Sequence, residues 1–228
     1  MKIATVSDVH GMWDQLNYPK ADVLVFAGDI LGNYNRDPVI DAHLQLEELE
    51  RFDLFTTDLV AQGLYSHIVF VAGNHDWAFE RLPREARFKL GNHITYLENS
   101  GATLLGYNFY GSPNQPWFYD WAFNLPAPGT SHAKKAAMLC WDAIPQNVDI
   151  LITHGPPYGI LDLTYGGQNV GCPYLEDRLQ YLLQLKLHIF GHIHYSYGKK
   201  MRQKTLFVNT AICDENYAPT NPISVINV

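Results

Sequence analysis

Four segments follow one plan: "KIATVSDVHG" (2–11), "ADVLVFAGDI" (21–30), "HIVFVAGNHD" (67–76) and "DILITHGPP" (149–157). Each is a nearly continuous run of Val, Ile, Leu, Phe or Ala that ends in Asp, Asn or His. A strand without a polar face is covered on both sides, which is the habit of parallel strands sandwiched in a layered α/β fold. In such sheets the carboxyl ends of the strands carry the site. Four strand ends with polar, ligand-type residues therefore restrict the chain to an α/β architecture whose strand tips converge on chemistry.

The stretches between these runs supply the helices. Asp37-Pro38 is an N-cap followed by proline at the first helical position, and the helix it opens closes near Gly63. Leu46, Leu49, Phe52, Phe55 and Leu59 give that helix an apolar stripe. A second helix is expected from Ser131 to Pro145, and a third from Pro173 to Leu185. "HITYLEN", "GATLLGYNFYGSP", "KTLFVNTAI" and "ISVINV" read as further strands, several without a crossover helix, so part of the sheet is expected to be antiparallel or mixed. Residues 111–130 are the least regular, with Trp117, Phe118, Tyr119, Trp121 and Phe123 among prolines and glycines. No repeat or low-complexity linker interrupts the 228 residues, so a single domain over 1–228 is expected.

Charge narrows the partners. Charged residues make up 17% and the formal net charge is −7, a poor match for the phosphate backbone of a long nucleic acid or for an anionic membrane. Cys140, Cys172 and Cys213 are odd in number and far apart, which suits reduced core residues better than a disulfide framework or a zinc ribbon. The start "MKIATVSD" is β-like and lacks the apolar region of a signal peptide, and no run reaches the length of a membrane span. A cytoplasmic protein acting on a small substrate is expected.

"FGHIHYSYG" (190–198) sets two histidines two residues apart after a buried run. In an extended chain alternate side chains share a face, with Cα atoms about 6.5 to 7 Å apart, a spacing that suits two neighbouring targets better than one. Taken alone, the pair also fits two half-buried imidazoles bonded to backbone carbonyls. The other strand ends weigh on this choice. Asp8-Val9-His10, Gly28-Asp29, Gly73-Asn74-His75-Asp76, His154-Gly155 and Gly191-His192-Ile193-His194 occur in order and offer carboxylate, carboxamide and imidazole, a mixture for borderline divalent metals such as manganese, iron or zinc. The glycines before Asp29, Asn74 and His192 let the backbone turn sharply and approach an ion. His43, His67, His93, His132 and His188 lie outside every motif and read as structural or surface residues.

These five motifs resemble the D-x-H, G-D, G-N-H-[D/E], H and G-H-x-H pattern of calcineurin-like metallophosphoesterases, over nearly the whole chain. The resemblance implies a four-layer αββα sandwich with two mixed β-sheets and a site for two divalent ions, manganese foremost, with iron, zinc or magnesium as alternatives. Matched by position, Asp8, His10 and His194 would hold one ion, Asn74, His154 and His192 the other, and Asp29 both. A hydroxide shared by the ions would attack phosphorus in line. Asp29 and His75 would be the catalytic pair, His75 giving a hydrogen bond or proton to the leaving oxygen. Asp76 either orients His75 or caps the following turn.

Protein phosphatases of this superfamily carry G-D-x-V-D-R-G, whereas this chain reads "GDILGNY", with Gly32 and Asn33 where the Asp-Arg pair would stand. "HGPPYGILD", "KLHIFGHIHYSYG", "FVNTAICD", "PTNP" and "PWFYDWAFNLP" resemble the metallophosphoesterase-domain-containing subfamily, which implies hydrolysis of small phosphodiesters, cyclic nucleotides included. A phosphomonoesterase, a nuclease of the same superfamily and a metal-binding interaction protein with little catalysis are the alternatives. Substrate contacts are expected from Asn74, His75 and Trp117. The aromatic loop around Trp117 either stacks on a nucleobase or packs onto its own core.

Overall fold

Alternation of side chains along the strands explains the layering. In the computed structural model, which describes residues 1–228, Val69 and Val71 of β3 (His67–Val71) face a second sheet, while Ile68 and Phe70 face helices. The first sheet contains β1 (Lys2–Val6), β2 (Val23–Ala27), β3, β4 (Ile94–Tyr96) and β11 (Ser224–Asn227) in the order β11-β1-β2-β3-β4. The second contains β5 (Ser100–Leu104), β6 (Tyr107–Ser112), β7 (Ile150–Thr153), β8 (Leu187–Phe190), β9 (Gly198–Arg202) and β10 (Thr205–Asn209) in the order β5-β6-β7-β8-β10-β9. Ile3, Val25, Ile150, Ile152, Ile189 and Val208 fill the space between the sheets.

Helices close both outer faces. Helix α1 (Pro38–Ala61) packs Leu49, Phe52 and Leu59 against Leu24, Phe26 and Phe70, joined by the short α2 (Trp77–Arg81) and α3 (Pro83–Phe88). Helix α4 (Ser131–Asp142) and α5 (Pro173–Leu179) set Trp141, Leu175 and Leu179 against Leu151, Phe190 and Phe207. The four layers are thus α, β, β and α, as expected. Asp37 caps α1 through its carboxylate, which accepts from the N–H of Val39 at 2.8 Å.

Four departures have local causes. Helix α4 stops at Asp142, short of Pro145, and α5 at Leu179, short of Leu185, where Leu182 and Leu185 reach the core from turns. Strand β9 was not expected because "GKKMR" exposes most of its residues as an edge strand. "GATLLGYNFYGSP" is two strands, a hairpin reversing at Leu105-Gly106. Both sheets are mixed: β11 runs antiparallel to β1, β5 to β6 and β9 to β10, and the remaining pairs are parallel.

The parallel strands of both sheets end on the same side, and polar bonds stitch those ends together. Thr210, just past β10, donates its hydroxyl to the carbonyl of Thr5 at 2.6 Å. The Ser7 N–H donates to the Thr210 carbonyl at 3.0 Å, and the Ile212 N–H to the Ser7 carbonyl at 2.9 Å. No helix is long and apolar enough to cross a membrane.

Candidate metal centre

Three strand tips of the first sheet meet two of the second. Asp8 and His10 follow β1, Asp29 follows β2, Asn74 and His75 follow β3, His154 follows β7, and His192 and His194 follow β8. Ligand atoms of Asp8, His10 and His194 lie within 4.8 Å of one another, as do those of Asp29, His154 and His192, and those of His10, Asp29 and His75. His154 Nε2 is 2.8 Å from Asn74 Oδ1 and 3.3 Å from an Asp29 oxygen. His194 Nε2 is 3.4 Å from Asp8. Every motif residue is therefore at one place, in two groups adjoining Asp29 and His10.

The backbone makes room for this crowding. A Cβ on Gly28 would lie 2.2 Å from His154 Nδ1, one on Gly73 2.3 Å from Asp29 Oδ1, and one on Gly191 2.1 Å from Asp8 Oδ2. Asp8, His10, Asp29 and His192 all have left-handed backbones, with φ between +43° and +67°. Such conformations cost energy in non-glycine residues and persist where the surroundings fix them.

His192 and His194 reach different groups for a reason that strand alternation does not supply. Strand β8 stops at Phe190, His192 turns left-handed and His194 opens a single 3-10 turn. The His192 N–H leaves the sheet ladder and donates to Asp8 Oδ2 at 2.9 Å. The expectation of an extended His-x-His is corrected accordingly: the turn, not the strand, separates the two rings. Backbone carbonyls orient two other contacts, with His154 Nδ1 3.1 Å from Ala27 O and His194 Nδ1 2.9 Å from Asp214 O. If these nitrogens donate, both Nε2 atoms are left to face the site, the usual arrangement of a ligating imidazole.

Electrostatics divide the imidazoles. Burial opposes charge on His154 and His194, but the carboxylates of Asp29 and Asp8 outweigh it and raise both to about 9. Burial prevails at His10, lowered to about 4, at His192, lowered to about 3, and at His75, also lowered. For Asp8 burial pushes upward, yet the bond and charge of His194 bring it to about 2. Asp29 is likewise held well below the ordinary carboxylate range, against burial, by His154 and His75. Asp8 and Asp29 are buried with only histidines as ion-pair partners.

Divalent ions fit these residues. Two buried carboxylates face imidazoles alone, with no lysine or arginine to occupy them, His10 Nε2 is buried without a hydrogen-bond partner, and the donors are oxygen and imidazole nitrogen without thiolate. Asp8, His10 and His194 could hold one ion, and Asn74, His154 and His192 a second, with Asp29 next to both sets.

The surroundings contain residues that the motifs did not single out. The Asn33 amide contacts His75 Nδ1, and the Trp121 ring lies 4.2 Å from the His75 ring, centre to centre. Tyr217 packs edge-on to His10 at 4.8 Å and to His194 at 5.5 Å. Asp76 fills neither expected role: its carboxylate accepts from the N–H groups of Leu31 at 3.0 Å and Gly73 at 2.7 Å, tying two strand-end loops together. Helix α1 aids this with a buried polar strip. Asp41 accepts from the N–H of Tyr34 at 2.7 Å, Glu48 accepts from Gly32 at 2.9 Å, and Gln45 donates to the His75 carbonyl at 2.7 Å. The spacing of Asp41, Gln45 and Glu48, in line with Phe52 and Leu59, is the sequence signal for that strip. Trp117 lines a cavity that adjoins the site rather than the site itself, where Phe118, Trp121 and Tyr217 are the aromatic walls.

Two buried acids, an amide and five imidazoles at the strand tips of an α/β sandwich define a metal-dependent hydrolase. Residues 1–196 match the family model described as calcineurin-like phosphoesterase, and the chain belongs to that family of phosphoester-hydrolysing enzymes. It is 36% identical over 251 residues to metallophosphoesterase domain-containing protein 1 of Homo sapiens, covering 100% of this chain and 71% of the relative. The UPF0046 protein K07C11.7 of Caenorhabditis elegans is 31% identical over 241 residues, covering 98% and 74%. One solved crystal structure superposes with a TM-score of 0.65 at 18% identity, covering 91% of this chain and 89% of that one, a likeness of fold.

Proposed function

We propose that this enzyme hydrolyses small phosphodiesters, cyclic nucleotides foremost, with manganese in the cell. One observation carries the reading: no lysine or arginine lines the site cavity of about 240 Å³, which has Asp29 and Glu215 on its walls instead. A phosphomonoester dianion draws most on a bidentate arginine, whereas a diester carries one charge less. Gly32 and Asn33, where the phosphatases' Asp-Arg pair would stand, agree with this.

In this reading Asp8, His10 and His194 would hold one ion and Asn74, His154 and His192 the other, with Asp29 serving both. Ions held there would supply polarisation of the phosphoryl oxygens and a water of lowered pKa. Asn74 and His75 orient the substrate. His75 gives a hydrogen bond toward the leaving oxygen: with the Asn33 amide nitrogen donating to Nδ1, the proton of the neutral ring is on Nε2, the nitrogen on the Asp29 side. Trp121 fixes the plane of that ring.

The test compares bis-p-nitrophenyl phosphate with p-nitrophenyl phosphate at saturating manganese, and repeats the comparison with 2′,3′- and 3′,5′-cyclic nucleotides. A higher kcat/KM for the diesters is expected. A monoester value tenfold above the diester value overturns the reading.

A further inference from the structure

The contact between the Asn33 amide and His75 Nδ1 joins two loops that follow different strands, β2 and β3, and helix α1 grips both. Around Asn33 the grip is on the backbone. The Gly32 N–H donates to Glu48 at 2.9 Å, and the N–H groups of Tyr34 and Asn35 donate to Asp41 at 2.7 and 2.8 Å. The Gly32 carbonyl accepts from Gln45 Nε2 at 3.0 Å. Asp41, Gln45 and Glu48 stand at i, i+4 and i+7, so one face of one helix brackets Asn33 on both sides.

Gln45 alone of the three reaches the second loop by hydrogen bonds. The same Nε2 donates to the His75 carbonyl at 2.7 Å, and Oε1 accepts from the Ala78 N–H at 2.9 Å. Because the His75 N–H donates to Asp29 Oδ1 at 2.7 Å, both backbone polar groups of His75 are held by side chains from outside its loop. Gln45 is fully buried. Among side chains of its length only a carboxamide offers two donors and an acceptor together, and all three are used here. Turning the amide over would set its oxygen against two carbonyls, so the surroundings also fix which end is nitrogen.

We infer that Gln45 is a positioning residue for the leaving-group side of the reaction: from α1 it sets the distance and angle between Asn33 and His75, and through them the direction of the His75 Nε2–H. The inference rests on the role given to His75 above and names what holds that ring in place. Gln45 does not line the site cavity, so its influence passes through His75. Without its donors the carbonyls of Gly32 and His75 lose their shared tether and the two loops can part. Asn74, next to His75, keeps a separate anchor, since its carbonyl accepts from the Ala122 N–H at 3.2 Å. A poor leaving group needs help from His75 more than a nitrophenolate does, so loosening Gln45 should act unequally on the two.

Two variants carry the test, so that it does not hang on the folding of one: Gln45→Met keeps the length and loses all three bonds, and Gln45→Glu keeps the shape and the acceptor and loses both donors. Each is checked for folding by circular dichroism and for manganese by elemental analysis. For adenosine 2′,3′-cyclic phosphate kcat is expected to fall about tenfold, for bis-p-nitrophenyl phosphate about twofold, with KM for both nearly unchanged. Added to His75→Ala, either substitution should cost less than about twofold more, because the group it aims is gone. A second readout needs no turnover. In long-range ¹H–¹⁵N NMR spectra of the zinc-loaded protein, His75 should show the Nε2–H tautomer alone in wild type and a mixture with Nδ1–H in the variants. An unchanged tautomer in the variants overturns the inference, as does a loss that persists in full in His75→Ala, or one equal on two substrates that His75→Ala itself distinguishes. Failure of the diester reading shows instead in wild type, in the comparison of nitrophenyl monoester and diester, where Gln45 is intact.

Discussion

The strand-tip cradle and the aromatic rim around it are built on different terms. In the cradle Asp8, Asp29, Asn74 and His154 are buried, the backbones of Asp8 and Asp29 are left-handed, and glycines at 28, 73 and 191 leave no space for a methyl group. In the rim Trp117, Phe118 and Tyr217 are about half exposed and belong to loops held by side-chain hubs such as Asn124 and Asp214. The cradle fixes charge and geometry, which the chemistry requires, while the rim offers surface that different substrates can share. Changes in the cradle should therefore act on metal binding and kcat, and changes in the rim on KM.

The largest expected effect is that of Asp29→Asn, which keeps shape and removes the charge adjoining both ligand groups. Turnover of bis-p-nitrophenyl phosphate should fall by about a thousandfold or more, on the scale of several kcal/mol of metal-supplied stabilisation, and chelator-treated wild type should match it. Retention of the original rate in either sample would sink the two-ion reading. His75→Ala comes next, with a loss of about 10²- to 10⁴-fold in kcat, larger for a cyclic nucleotide than for a nitrophenyl ester, and with both metals retained on elemental analysis. Equal losses on the two substrates would remove His75 from the leaving-group side.

Asn33→Ala probes the border between the two regions. It should lower kcat by roughly tenfold with little change in KM, as expected for a residue that only aims the His75 ring. A change in KM alone would assign Asn33 to the rim. The smallest effect on catalysis belongs to His188→Leu, a control for burial of imidazole without a role at the site. His188 is buried, bonded to Thr153 at 2.9 Å, and lowered to about 3 by burial and then by Arg202. It is neutral in the fold while the unfolded chain takes up a proton below about 6.5, so its contribution to stability is intact above that pH and is lost as the pH falls toward 3. Between pH 7 and 5 the wild type should lose about 2 kcal/mol more than His188→Leu in urea titrations. Parallel losses would mean that the ring is not kept neutral.

The same contrast explains what the sequence made legible. The strand tips were readable because "VFAGDI" or "VFVAGNHD" joins an apolar run to a polar end, and both pieces of information are local. Even there, the left-handed turn at His192 was hidden, since it depends on the Asp8 carboxylate arriving from the other sheet. The rim was not readable for the same reason on a larger scale: Trp121 meets His75, and Tyr217 meets His10, only through tertiary contacts across 46 and 207 residues. Asn33 sits beside a motif, yet its target lies 42 residues on. The inner face of α1 is legible as an apolar stripe of Leu46, Leu49, Phe52, Phe55 and Leu59, whereas its buried polar beginning at Asp41, Gln45 and Glu48 carries no apolar signal.

The bond between Thr210 and Thr5, 205 positions apart, has a consequence for how the protein comes into being. Strand β1 lies between β2 and β11, and its far end is gripped by the segment after β10. On a ribosome the residues bearing Asp8 and His10 emerge about two hundred residues before the segments that grip that side of β1. Pairings that close such long loops form slowly, and until then β1 is an open edge able to recruit another strand. A nascent chain arrested before Ser224 should consequently be more prone to aggregate than one in which β11 has emerged and covered that edge.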